Sequence, residues 1–320
     1  MRIVVIGGTG HIGTYLSPML AEARHEVICV SRGQRQSYQP HEAWSQIAQV
    51  VLDRQAEEAQ GEFGRRVAEL DAEVVIDLTC YAPSSAEQLV DALRGRVSHF
   101  LHCGTIWVHG HSVTVPTKES APRAPFGDYG IRKLAIETYL LQQAREGFPV
   151  TVLHPGHLVG PGWAPINPAG NFSLQVFSNL AAGSEVLLPN LGMETLHHVH
   201  AADVASAFVR AVEHRDAAVG ESFHVVSAAA VTLRGYAEHM AAWFEREPHL
   251  RFLPWEQWRA WTSEKDARIT WDHIAHSPNC SIEKARRLLG YEPIYGSLEA
   301  VEESVAWLVR KGDIARLPVS

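Results

Sequence analysis

The chain has 320 residues, 46% of them hydrophobic and 20% charged, with a formal net charge of −8. A chain of this length buries about 75% of its unfolded surface, so a sizeable core is expected and the composition excludes a disordered class. The acidic balance argues against nucleic acid as the main partner, and no apolar run approaches the ~18 residues of a membrane span.

The chain opens directly on Arg2-Ile3-Val4-Val5-Ile6 with no cleavable signal, so a cytoplasmic location is expected. Short β-branched runs at 3–6, 26–30, 49–52, 74–78, 99–103 and 150–153 read as strands. Stretches at 14–23, 82–93 and 129–145 between them have helical length and periodicity. This alternation predicts an α/β fold: a Rossmann-type, doubly wound parallel sheet.

From 154 to 171 the chain is rich in Gly, Pro and Asn, and a helix follows over 172–182. A strand at 195–199, a helix at 203–213 and a strand at 222–226 are expected to return to the sheet. The remainder, from about 232, is helical and rich in tryptophan. The dinucleotide-binding domain is therefore assigned to 1–155 and about 195–228, and a smaller, discontinuous substrate lobe to 156–194 and 229–320. Cys29, Cys80, Cys103 and Cys280 lack CxxC spacing and read as free, buried thiols.

Gly7, Gly10 and Gly13 lie between the first strand and the first helix. Glycine permits a tight turn there, and the helix N-terminus, entered through His11 and Ile12, offers free N–H groups to a pyrophosphate. The second strand ends Ser31-Arg32-Gly33 with no carboxylate to take a ribose 2′-hydroxyl. NADP is favoured on that ground, while an Arg32 that is only solvated or stacked on adenine leaves NAD open. Asp53, after the third strand, is placed to reach the adenine or serves as an ordinary loop carboxylate; Leu78 and Thr79 end the fourth strand at the same cleft.

Tyr129 and Lys133 are four residues apart in a helical stretch, so they share a face. An ammonium near a phenol favours phenolate and lowers a pKa of about 10, which makes Tyr129 a usable acid or base. Thr105, at the carboxyl end of the strand at 99–103, faces the crevice and holds a substrate oxygen, or merely caps its turn.

These residues resemble the short-chain dehydrogenase/reductase superfamily, and within it the extended branch of NAD(P)-dependent epimerases, dehydratases and reductases. The resemblance covers Gly7 to Gly13, Thr105 ahead of Val108-His109-Gly110, Glu119, Pro125, Tyr129-Gly130 and Lys133. It continues through Pro155-Gly156-His157, Gly160-Pro161-Gly162, Val199 to Ala205 and Leu289 to Pro293. It implies a catalytic set of Thr105, Tyr129 and Lys133, with Lys133 also on the nicotinamide ribose and Pro155 to His157 lining the nicotinamide. A homodimer is expected by the same resemblance.

The departures bear on substrate. Leu196 stands where nucleotide-sugar enzymes of this branch carry a diphosphate-binding Arg, and His157 and His109 replace their usual Asn and Tyr. A sugar-like or other small polar substrate without a nucleotide is therefore expected. His109, His157, Asn171 and His198 are the candidates for its contacts, and His157 is also a candidate second acid/base, with His102 close to the same crevice. Of His197, His198 and His200 only the last two share a strand face, and no metal site is assigned. Trp243, Trp255, Trp258, Trp261 and Trp271 read as lobe core or a dimer contact before a substrate wall. The alternative function is a catalytically silent NADP-binding sensor or scaffold, acting even on RNA.

Overall fold

Strands buried on both faces make the centre of the protein, and their side-chain alternation sorts the helices to either side. In the computed structural model, which describes residues 1–315, the chain runs through β1 (Arg2–Ile6), α1 (Gly13–Glu22), β2 (Glu26–Ser31), β3 (Ala48–Val51) and α2 (Arg54–Ala59). Next come α3 (Phe63–Ala68), β4 (Val74–Asp77), α4 (Pro83–Leu93), β5 (His99–Cys103), α5 (Gly127–Arg145) and β6 (Val150–Pro155). It continues through β7 (His157–Val159), α6 (Leu174–Ala182), β8 (Val186–Pro189), β9 (Thr195–Leu196), β10 (His198–His200), α7 (Ala201–Glu213), α8 (Arg215–Ala218) and β11 (Ser222–Val225). The last part contains β12 (Val231–Thr232), α9 (Leu233–Trp243), β13 (Leu250–Leu253), α10 (Trp255–Trp258), α11 (Glu264–His276), α12 (Glu283–Leu289) and α13 (Ser297–Lys311).

Seven strands form one parallel sheet in the order β11-β6-β5-β4-β1-β2-β3, with Val4 paired to Ile28 on one side and Val75 on the other. The order reverses between β1 and β4, the switch point where ligands bind in open α/β sheets. Ile3 and Val5 point into one core with Leu16 and Leu20 of α1 and Phe208 of α7. Val4 and Ile6 point into the other, with Val67 of α3, Leu89 of α4 and Ile136 of α5.

A second body of packing gathers Val159 to Leu196 with the C-terminal helices, around Phe177, Tyr236, Met240 and Val301. Asp203, 1% exposed at the start of α7, accepts the backbone N–H groups of Ile294 and Tyr295 and so ties that part to the sheet. The run at 195–199 does not return to the central sheet: β9 pairs with β12 and β10 with β7. His197 separates them, because its carbonyl takes the His157 N–H and its ring bridges Ser227 and Cys280. All four cysteines are buried and free, and no described helix is long and apolar enough to cross a membrane.

Candidate active site

The glycine turn admits no side chains at its tightest points. Gly7 has φ +84°, and a Cβ there would lie 2.5 Å from Thr79 Cγ2; a Cβ at Gly13 would overlap the Gly8 carbonyl. Gly10 donates its N–H to the Gly7 oxygen at 2.9 Å, which closes the turn. No side chain caps α1 at Ile12, and the Thr14 and Tyr15 N–H groups go to the Gly10 and Ile12 carbonyls, so the N–H groups ahead of them are what the helix N-terminus offers an anion. His11, 6% exposed, stacks on Trp163 at 5.1 Å and meets Tyr38 edge-on, while Ile12 sinks into the core.

The turn opens on a cleft of about 640 Å³ that Gly7, Gly10, Ser31, Arg32, Asp53 and Thr79 help to line. Arg32 and Arg35 are exposed on its ribose side, and Arg35 donates to the Tyr38 hydroxyl at 3.3 Å. The Ser31 hydroxyl accepts the Gly33 N–H. Asp53 caps α2 through the Ala56 N–H, so its carboxylate is partly committed, and Leu78 packs in the core and leaves the wall to Thr79. Close-approach glycines, a bare helix N-terminus and arginines fit a dinucleotide phosphate chain. Arg54 is held on Asp77 Oδ1 at 2.7 Å and on Glu58.

Thr105, Tyr129 and Lys133 converge at the carboxyl ends of β4 and β5. Lys133, 3% exposed, donates to the carbonyl oxygens of Cys80 at 2.7 Å and Cys103 at 2.8 Å, with its ammonium over the Tyr81 ring. The Thr105 hydroxyl lies beside the Tyr129 phenol and also accepts the Trp107 N–H at 3.3 Å, so it caps its turn and faces the crevice at once. The expected lowering of the phenol pKa is not found. The Tyr129 ring is 40% exposed, but its hydroxyl end lies inward and burial pushes its pKa up; Lys133 spends its protons on the two carbonyls instead.

Asp77, Cys80 and His102 bring an oxygen, a sulfur and a ring nitrogen within 4.8 Å of one another. The Arg54 and Lys133 cations already balance the Asp77 and Glu58 carboxylates, and that balance opposes a further cation.

Beside Tyr129 the crevice wall is aromatic and imidazole. Trp107 meets Tyr129 edge-on at 6.0 Å, His273 at 5.1 Å, and stacks on His276 at 4.1 Å. Burial holds His273 and His276 down at about 4, so both rings are neutral near pH 7.

The four candidate substrate contacts fare differently. His157 meets Phe172 and His273, yet its Nε2 accepts the Ile166 N–H and burial holds it well below the usual imidazole range. A spent acceptor and an uncharged ring do not make a second acid/base. His109 turns inward to His224 at 2.8 Å. Asn171, 1% exposed, spends its amide on Asn167, Ser173 and Thr270. His198 is fully buried against Ser297 and Tyr236. These three are structural because an interior amide or imidazole must find partners. Pro155 is buried at the end of β6, and His200 caps α7.

The model of the NAD dependent epimerase/dehydratase family matches residues 3–226. The chain belongs to this family. It is an NAD(P)-dependent oxidoreductase of the epimerase/dehydratase type. Similar curated proteins include the 2'-dehydrokanamycin reductase of Streptomyces kanamyceticus, 26% identical over 98% of this chain and 86% of that one. Another is a chloroplast stem-loop binding protein of 41 kDa from Arabidopsis thaliana, 25% identical over 95% of this chain and 78% of that one. Among solved structures, the dTDP-glucose 4,6-dehydratase of Bacillus anthracis in complex with NAD has the same fold, with a TM-score of 0.74 over 98% of both chains at 17% identity.

Several family-site neighbours escape a reading of the sequence. Trp107, Trp163 and Tyr38 supply the aromatic surfaces beside the crevice and cradle, whereas the sequence draws attention to the C-terminal tryptophans. Of those, Trp258 is lobe core with its ring N–H on Leu187, and Trp261 is 68% exposed. Glu137 carries a readable signal, four residues after Lys133 on the same helix face.

Proposed function

We propose that the protein is an NADP-preferring reductase or epimerase for a secondary alcohol or ketone on a sugar-like substrate that carries no nucleotide. The observation that carries the reading is the convergence of Thr105, Tyr129 and Lys133 at the switch point, beside a wall of neutral rings. Bound NADP supplies the hydride chemistry at its nicotinamide. Thr105 donates from its hydroxyl to the substrate oxygen and orients it toward Tyr129. Tyr129 holds the proton on its phenol oxygen in the reducing direction and receives it in the oxidising direction. Lys133, anchored on the Cys80 and Cys103 carbonyls, presents its remaining N–H to the cofactor ribose.

Two observations support the substrate class. Trp107, His273, His276 and Phe172 offer rings and no cation to a diphosphate. Leu196, in the diphosphate-binding position of nucleotide-sugar enzymes, is 1% exposed in the lobe core. Similarity to a reductase named for 2'-dehydrokanamycin agrees with an oxo-sugar glycoside. Arg32 and Arg35, with no carboxylate at the end of β2, support a 2′-phosphate.

The test follows oxidation of NADPH and NADH by absorbance against oxo-derivatives of amino sugars, glycosides and polyols, with UDP- and TDP-hexoses as the contrast. Turnover of an oxo-glycoside with NADPH, lost in Tyr129→Phe, is the expected result. Turnover confined to nucleotide sugars would overturn the substrate reading, and full activity in Tyr129→Phe would overturn the site. The sensor or scaffold reading gains ground only if stem-loop RNA binds tightly with a steep salt dependence.

A further inference from the structure

Behind Thr105 lies a buried polar chain that touches neither cofactor cleft nor crevice. His154, fully buried on β6, accepts the Thr105 backbone N–H on Nδ1 at 3.0 Å. Its Nε2 lies 2.9 Å from Glu137 Oε1. An amide N–H only donates, so Nδ1 must present a lone pair; the ring proton then sits on Nε2 and is donated to the carboxylate. The tautomer follows from the partners.

Glu137, 2% exposed, stands one turn beyond Lys133 on α5, as Lys133 stands one turn beyond Tyr129. Its other contacts go to Arg123, which donates from Nη2 to Oε1 at 2.9 Å and from Nε to Oε2 at 3.2 Å. Arg123 in turn holds the Glu119 and Ala121 carbonyls, at 2.6 and 3.1 Å. The strand leading to Thr105 passes so close to the ring that a Cβ at Gly104 would overlap His154 Nδ1. Gly104 also donates to the Leu153 carbonyl at 2.7 Å, so β5 and β6 are clamped at this level.

We propose that His154 is a positioning residue: held in its Nε2–H form by Glu137, it fixes the backbone of Thr105 and so sets the Thr105 hydroxyl against Tyr129. This rests on the reading of Thr105 as the group that holds the substrate oxygen. The arrangement requires an unprotonated Nδ1. A second proton there would face the Thr105 N–H donor to donor, and the turn carrying the hydroxyl would lose its anchor. The charged and titratable groups around the ring are Glu137 and Lys133 of α5, Arg123 before it, His102 of β5, His109 of the following turn and His224 of β11.

The test is made on the full chain, labelled with ¹⁵N in His and Thr, by long-range ¹H–¹⁵N spectra of His154 and amide spectra of Thr105. The expected result is a neutral Nε2–H tautomer. In His154→Asn the Asn Oδ1 replaces Nδ1 as acceptor, and the Thr105 amide keeps its shift and exchange rate. In His154→Gln the amide group reaches Glu137 instead, and the Thr105 N–H exchanges about tenfold faster, as for one lost hydrogen bond. An Nδ1–H tautomer, or equal Thr105 exchange in the two variants, would overturn the proposal. If neither variant folds, acid titration of the wild-type protein decides: Thr105 amide movement with the His154 midpoint supports it, and an indifferent amide refutes it. No readout requires turnover, so failure of the functional reading in Tyr129→Phe remains a separate result.

Discussion

Replacement of Glu137 by Gln keeps the shape of the buried network and removes its charge. In the wild type the carboxylate, 2% exposed, takes hydrogen bonds from His154 and from two nitrogens of Arg123. Despite burial, His154 and Arg123 hold its pKa below the usual carboxylate range. Breaking a buried pair costs about 3–5 kcal/mol. The lower end applies, because the Arg123 side chain is 19% exposed and retains the Glu119 and Ala121 carbonyls. An unfolding entropy of about 2.1 cal/mol/K per residue over 320 residues converts about 3 kcal/mol into a Tm lower by about 4–5 °C. The sign of the pH dependence is equally defined. A carboxylate with a depressed folded pKa stabilises fully above its unfolded value, 4.5, and loses that contribution progressively as pH falls from there through the folded value. Calorimetry of wild type and Glu137→Gln should therefore show the full gap at pH 7 and a gap that narrows as pH falls from 4.5 toward 3. A gap below 1 °C at pH 7, or one constant across this range, would refute the charge-pair reasoning.

Other perturbations reach the remaining parts of the site. Arg32→Ala should weaken NADP about tenfold, the worth of one solvated charge-assisted contact, and leave NAD unchanged; an equal loss for both in a fluorescence titration would remove Arg32 from 2′-phosphate recognition. Gly13→Ala places a Cβ on the Gly8 carbonyl, an overpacking of about 2 kcal/mol that should weaken the dinucleotide by about thirtyfold; an unchanged Kd by calorimetric titration would show that the turn does not contact it. Lys133→Met orphans the Cys80 and Cys103 carbonyls and should cost about 1–3 kcal/mol in urea denaturation, as well as activity; unaltered stability would contradict the buried anchoring. The homodimer drawn from family resemblance is tested by sedimentation, where a monomer at micromolar concentration would end that proposal.

What could be read from the chain differs from what could not by the range of the interactions involved. The sheet was readable because each strand carries its own evidence: β5, buried at every position from His99 to Cys103, is a short run with Phe100, Leu101 and Cys103 that ends at the Gly104 turn. The glycine turn was readable for the same local reason. The run at 195–199 misleads because Thr195, Leu196 and Val199 mark a strand without naming its partner, and only the packing of β7 and β12 decides where it pairs. Histidines show the limit most clearly. His109, His157 and His198 look like crevice ligands in sequence, since imidazole is scarce in cores and useful in sites. In the fold each is anchored by a partner that only the folded chain brings to it: His224 at 115 residues, Ile166 across a loop of 9 and Ser297 at 99. Conversely His154, the imidazole tied directly to the Thr105 backbone, lies in an unremarkable apolar run. Its partner Glu137 was visible as the next turn of the Tyr129–Lys133 face, but a helix face does not name the strand packed beneath it. Imidazole meets opposite demands with one ring, accepting on one nitrogen and donating on the other, so a buried histidine can join a backbone amide to a carboxylate without carrying charge itself. That property makes its role depend on two neighbours at once, and those neighbours are set by tertiary structure.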